Sequence, residues 1–94
     1  MILDYKNDRE YVLQNGMIDA GFMRADGHGG VERISVLRYT PKISDKTNDI
    51  CFRNFPILEI TDTTLENCTF EFCENVKLRG CTVDGCLFRD VENF

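Results

Sequence analysis

The sequence predicts a mainly β chain: an N-terminal antiparallel hairpin segment (residues 1–47) capping a short stack of β-coils (residues 48–94), the two forming one compact domain. Three observations carry that reading. The chain has 94 residues, 43% hydrophobic and 29% charged, which suits one small domain and neither a disordered nor a membrane-spanning chain. Glycine-rich punctuation, Asp26-Gly27-His28-Gly29-Gly30, separates two β-like stretches, Met17–Ala25 and Val31–Thr40. From Ile50 onward, apolar residues recur every five positions, a period that fits neither a helix nor a plain strand.

Taken in chain order, residues 8–15 allow two readings. Asn7 as N-cap, Glu10 at the third helical position and Gly16 as stop would make two helical turns. Asn15-Gly16 is equally a hairpin turn between Tyr11-Val12-Leu13 and Met17-Ile18, and strand is the preferred reading. Met17–Ala25 and Val31–Thr40 then form an antiparallel hairpin around the glycine loop. Pro41–Asn48 reads as a polar connector.

In the second half, one series runs Ile50, Phe55, Ile60, Leu65, Phe70, and a second runs Leu58, Thr63, Cys68, Cys73, Leu78, Val83, Phe88. Such spacing fits a chain that turns a corner every five residues, with two inward side chains per unit: Leu58/Ile60, Thr63/Leu65, Cys68/Phe70, Val76/Leu78, Cys81/Val83, Cys86/Phe88. Stacking buries an interior column that no single unit buries alone. The phase slips near Cys73-Glu74-Asn75, where a unit is three residues long. A 13-residue echo, Leu65/Cys68/Phe70/Cys73 against Leu78/Cys81/Val83/Cys86, has too short a period for a leucine-rich repeat.

Over residues 50–93 this pattern resembles the pentapeptide-repeat family. The resemblance implies a right-handed, four-sided β-solenoid, with a less regular right-handed β-helix as the alternative. Cys-Thr-Phe-like triplets replace the family's usual Ala-Asp/Asn-Leu core, and residues 1–47 do not match. Some members resemble duplex DNA in shape and charge and bind topoisomerases, so the resemblance implies a DNA-mimic option here.

Charge narrows the function classes. Residues 1–47 carry seven Lys/Arg and seven Asp/Glu, whereas residues 48–94 carry four and nine, so the net charge of −5 lies in the second half. Direct nucleic-acid binding needs a cationic face and is disfavoured. A protein partner with a basic surface fits better. The expected function is therefore a non-catalytic protein-binding module that occupies a basic surface of a nucleic-acid-handling protein, as inhibitors and immunity proteins do. The alternatives are a structural or assembly module and a zinc-binding protein. The expected contact residues are Glu59, Glu66, Glu71, Glu74, Asp84, Asp90 and Glu92, at outward slots in stacked rows. Phe72 breaks the inward pattern: exposed, it would anchor a contact, and packed under the N-terminal hairpin, the preferred reading, it would be structural. The C-terminal end at Val91–Phe94 has no cap of its own and is expected to pair with a second copy.

Five cysteines, an odd number with no secretion signal, point to reduced thiols in the cytoplasm. Cys68, Cys73, Cys81 and Cys86 form two pairs with four intervening residues, which suggests a four-thiolate zinc site. Their inward slots assign them instead to the core, so no metal or other cofactor is expected. Leu58-Glu59-Ile60-Thr61-Asp62-Thr63-Thr64 resembles the catalytic loop of retroviral-type aspartic proteases, but Thr64 stands where that loop needs a small residue. His28, the one histidine, sits in the glycine loop and is expected to be exposed. No catalytic constellation follows from these residues, and no apolar run reaches the ~18 residues of a membrane span.

Overall fold

A computed structural model of the chain describes residues 1–40 and 46–94. Among them are thirteen strands and one helix: β1 (Ile2–Asp4), α1 (Arg9–Gln14), β2 (Met17–Asp19), β3 (Phe22–Ala25), β4 (Val31–Ile34), β5 (Leu37–Tyr39), β6 (Lys46–Asn48), β7 (Cys51–Arg53), β8 (Ile57–Thr61), β9 (Thr64–Glu66), β10 (Thr69–Glu71), β11 (Asn75–Arg79), β12 (Thr82–Asp84) and β13 (Leu87–Arg89). The chain is mainly β. The connector expected over Pro41–Asn48 lies outside the described residues over 41–45 and ends as β6.

Three sheets with parallel pairing organise the second half, in the orders β1-β7-β10-β13, β11-β8-β5-β2 and β12-β9-β6. Successive partners there keep one constant offset along the chain. Cys51 is beside Thr69 and Thr69 beside Leu87. Ile57 is beside Asn75, and Asn75 bridges to Asn93. Lys46 is beside Thr64 and Thr64 beside Thr82. The first half joins the same sheets, as β1 pairs parallel with β7 and β5 parallel with β8.

The chain turns between strands at residues in the left-handed region. These recur with the same offset as the strand partners: Asp49, Asn67 and Gly85; Asn54, Phe72 and Asp90; Asp62 and Gly80. Asn and Asp enter this region more readily than other side chains, and Gly enters it freely. At Gly85 a Cβ would lie 2.6 Å from the Asn67 carboxamide oxygen of the preceding layer, so a side chain there must displace that carboxamide. Corner amides bond to the adjacent layer, as in Asn67 N–H to Asp84 C=O (2.8 Å) and Phe72 N–H to Arg89 C=O (3.0 Å).

The core follows from the stacking. Phe52, Phe70 and Phe88 form a ladder with ring centroids 5.0 and 4.9 Å apart and planes within 9°. Leu58, Ile60, Thr63, Leu65, Cys68, Phe70, Cys73 and Val76 are buried, all at positions whose spacing predicts an inward side chain. Val83, expected inward, is 43% exposed because no further described strand pairs with β12. Phe94 stacks on Phe88 at 4.7 Å while remaining 77% exposed itself. Phe94 thus extends the aromatic ladder by one ring and is itself its exposed end.

The N-terminal segment corrects one expectation. Residues 9–14 are helix, not strand. Only Val12 of this stretch is buried, which suits one inward contact from a helix and not a paired strand. The Asp8 carboxylate caps it by accepting from the Tyr11 amide (3.3 Å), whereas the Asn7 side chain is held by Asp4 (2.8 Å). The two glycine-flanked stretches pair antiparallel, but in two pieces. The β2–β5 pair lies on the core through Met17, Leu37 and Tyr39. The β3–β4 pair is an isolated two-stranded ribbon in which every β3 side chain is exposed. Asp19 sits where the pieces meet, accepting from Arg33 (3.0 Å), Arg9 (3.0 Å) and Ser35 (3.2 Å).

Candidate functional site

The residues with the clearest departure from structural need cluster at the corner between β10 and β11. Phe72 occupies the left-handed region (φ 56°) in a column whose other members are Asn54 and Asp90. A bulky aromatic there is an outlier, costing about 1–2 kcal/mol of backbone strain. Its ring is 54% exposed, so packing does not return that energy in full. The ring borders a cleft of about 350 Å³ lined also by Tyr5, Lys6, Asn54, Phe55, Pro56 and Glu74. The preferred reading of Phe72 as packed under the N-terminal hairpin is therefore not what the fold produces.

Acidic residues flank this aromatic along the chain and in the adjacent turn, and Lys6 lines the same cleft. Asp90 lies one layer along, since Phe72 N–H bonds to the carbonyl of Arg89 beside it. Glu74 and Glu92 occupy the same position in successive layers: Glu92 N–H bonds to Cys73 C=O (3.1 Å), and Asn93 N–H to Glu74 C=O (3.0 Å). Glu74, Asp90 and Glu92 are all exposed. Neighbouring parallel strands are about 4.8 Å apart, so Asp90 and Glu92 lie one strand spacing from Phe72 and Glu74, and Glu74 lines the cleft with the ring.

The other expected acidic residues are placed elsewhere. Glu66 is half-buried and directly opposite exposed Asp84 in the β9–β12 pair. Glu59 is bonded to Arg38 across β5–β8 (3.1 Å). Glu71 is 8% exposed and does not face solvent: the Arg53 guanidinium donates to it (2.7 Å), and the Cys51 thiol lies 3.3 Å away. Those bonds, Arg53 first and Cys51 next, hold the Glu71 carboxyl below its ordinary value of 4.5. On the outer faces, charges alternate across paired strands, as Asp4–Arg53–Glu71–Arg89 and Arg38–Glu59–Lys77. Such rows alternate in sign, with ion pairs at Arg53–Glu71 and Arg38–Glu59, and are not uniform acidic rows.

The cysteines line three corners of the interior, with Cys68 and Cys86 stacked in one column and Cys73 and Cys81 in two others. Each inward thiol lies against backbone carbonyls: Cys68 against Thr47 and Glu66, Cys73 against Phe52 and Glu71, Cys81 against Ile60 and Arg79, Cys86 against Leu65 and Asp84. Among the described residues no group of three or more His, Cys, Asp and Glu is disposed to hold a metal ion. Cys51 faces outward; burial, then the Glu71 bond, pushes its thiol up to about 11, which keeps it protonated at neutral pH. His28 is exposed in a loop closed by the Asp26 carboxylate, which accepts from the His28 (2.7 Å) and Gly30 (3.1 Å) amides. Asp62 is a left-handed corner residue and exposed.

One constellation escapes the sequence reading: Arg38, Lys77 and Arg79 meet on the outer face of β5, β8 and β11. Its signal lies partly in the phase, because Lys77 and Arg79 flank the inward slot of Leu78, whereas nothing in the spacing assigns Arg38. Among the described residues no helix is long and apolar enough to cross a membrane. No family model, no curated protein and no solved structure matches this chain.

Proposed function

We propose that the protein is a non-catalytic protein-binding module, built as a short right-handed β-solenoid and docking through Phe72 and its ring of carboxylates. The solenoid reading is supported by parallel partners and left-handed corners that share one constant offset, that from Cys51 to Thr69 and from Thr69 to Leu87. Crossovers between parallel strands of one sheet are right-handed in nearly all folds, which supplies the hand. That offset falls short of four full five-residue units. It fits three such units and one of three residues, at Phe55, Cys73 and Val91, so the likeness to pentapeptide repeats carries a shortened side.

The observation that carries the binding reading is the exposed, left-handed Phe72 beside Glu74, Asp90 and Glu92. Strain that the fold does not need marks candidate functional positions. An aromatic anchor with a charged rim is the usual anatomy of a contact centre. The chemistry of the rim selects a basic partner surface with an apolar recess, such as the nucleic-acid-binding face of another protein.

The experiment compares capture of basic proteins from a bacterial lysate by the parent, Phe72→Asn and the triple variant Glu74→Gln/Asp90→Asn/Glu92→Gln. The proposal expects a partner held by the parent and lost from both variants. Equal capture by all three would overturn it.

A further inference from the structure

We infer that the outer face of β5, β8 and β11 is a second binding site, selective for a phosphate-class oxyanion. It shares no residue with the Phe72 corner and stands independently of that reading. Pairing across the sheet puts Arg38 beside Glu59 and Glu59 beside Lys77, and in the next outward row Thr61 beside Arg79. These five residues line a cleft of about 290 Å³.

The cleft holds three cations and one carboxylate, in a chain whose net charge is −5. Glu59 is bonded to Arg38 (3.1 Å). Among the described residues, no ion pair or hydrogen bond engages the side chain of Lys77 or Arg79. Lys77 lies opposite Glu59, whose carboxylate is engaged by Arg38, and Arg79 lies opposite the uncharged Thr61, so two outward cations about 7 Å apart on one strand have no ion-pair partner among the described residues.

The donor set selects the ligand. A guanidinium presents a planar fork to two oxygens, and an ammonium acts as a point charge. Thr61, directly opposite Arg79 on a strand about 4.8 Å away, adds a hydroxyl as a third kind of donor. A carboxylate has only two oxygens, and the Arg79 fork alone satisfies them. A tetrahedral phosphate has enough oxygens to engage fork, ammonium and hydroxyl together. Because the cleft is open to water, screening sets the expected affinity in the millimolar range.

The test is a titration of the full chain followed by amide chemical shifts, using inorganic phosphate in one arm and phosphoserine in a second. Sodium chloride at matched ionic strength is the control. The Thr61, Lys77 and Arg79 amides are expected to shift and saturate with phosphate but not with chloride. Lys77→Gln/Arg79→Gln should weaken binding about tenfold or more. Glu59→Gln should bind phosphate at least as tightly as the parent, a gain that loss of folding does not mimic. Saturation by phosphoserine as well extends the site to esterified phosphate, whereas saturation by inorganic phosphate alone restricts it to the free ion. Shifts reproduced by chloride, no saturation in the millimolar range, or a double variant that titrates like the parent would each overturn the inference.

Discussion

At Phe72 residue type and backbone conformation pull apart. Asn54 and Asp90, its neighbours in the corner column, are residue types that tolerate a positive φ, and a phenyl side chain is not. Phe72→Asn should therefore leave the melting temperature unchanged or raise it, because relief of about 1–2 kcal/mol of strain offsets loss of a half-exposed ring. The same change should weaken partner binding by about 2 kcal/mol or more, the range of anchor residues. A variant that melts several degrees lower would mean that the ring is structural. Glu71 shows the opposite case, a residue expected at a contact that the fold consumes. Its depressed pKa means that its contribution to stability is full above about pH 4.5 and is lost as pH falls through the lower folded value. Glu71→Gln should flatten acid unfolding in that window, as followed by circular dichroism. Removing the carboxylate also deletes one of the causes that raise the Cys51 thiol. With its thiol pushed up to about 11, Cys51 stays mostly protonated at pH 9, so the parent should alkylate slowly there. Glu71→Gln should speed alkylation of Cys51 only in part, since burial remains. No change in rate would show that burial acts alone.

Among the elements, corners are harder to foresee than strands. Inward pairs such as Leu58/Ile60 and Cys68/Phe70 are legible because every second residue of a strand faces one side. The length of a layer is not. The three-residue units at Phe55, Cys73 and Val91 reset the phase once per layer, and only the slip at Cys73 stands out against the 13-residue echo. The Gly85 corner is the sharpest test of the layer. Gly85→Ala needs φ 65° and sets a Cβ 2.6 Å from Asn67 Oδ1, so it should cost about 1–2 kcal/mol or more in denaturant unfolding. A neutral result would contradict the stacking of residues 67 and 85. Helix α1 replaces the expected strand for a related reason. Asn15-Gly16 serves a hairpin turn and a helix stop equally well, and what decides is the tertiary contact of Val12 with the core. The β3–β4 ribbon, exposed on β3, is marginal alone and is tied down at its base by Asp19. Burial raises the Asp19 carboxyl, but Arg33, Ser35 and Arg9 outweigh it and leave it below 3.8. Asp19→Ala should accelerate amide exchange in residues 22–34 while sparing Phe52 and Phe70.

For the whole molecule, the sequence locates the charge but not its arrangement. The excess of acid in residues 48–94 is countable, yet strand pairing turns Glu59 and Glu71 into members of alternating ladders. It also gathers Arg38 with Lys77 and Arg79, which lie in opposite halves of the chain, and no local count reveals that. Glu74, Asp90 and Glu92 near Phe72 stay exposed, as do Asp62 and Asp84 elsewhere. Opposed patches of this kind act on the rate of encounter, and salt screens them over a Debye length of about 8 Å.

The most direct test of the binding account is the association rate between the chain and its captured partner, measured as ionic strength is raised. The account predicts a parent rate that falls steeply with salt. It predicts a slower, nearly salt-independent rate for Glu74→Gln/Asp90→Asn/Glu92→Gln, with the melting temperature of that variant unchanged. A triple variant that associates as fast as the parent at every ionic strength would contradict it.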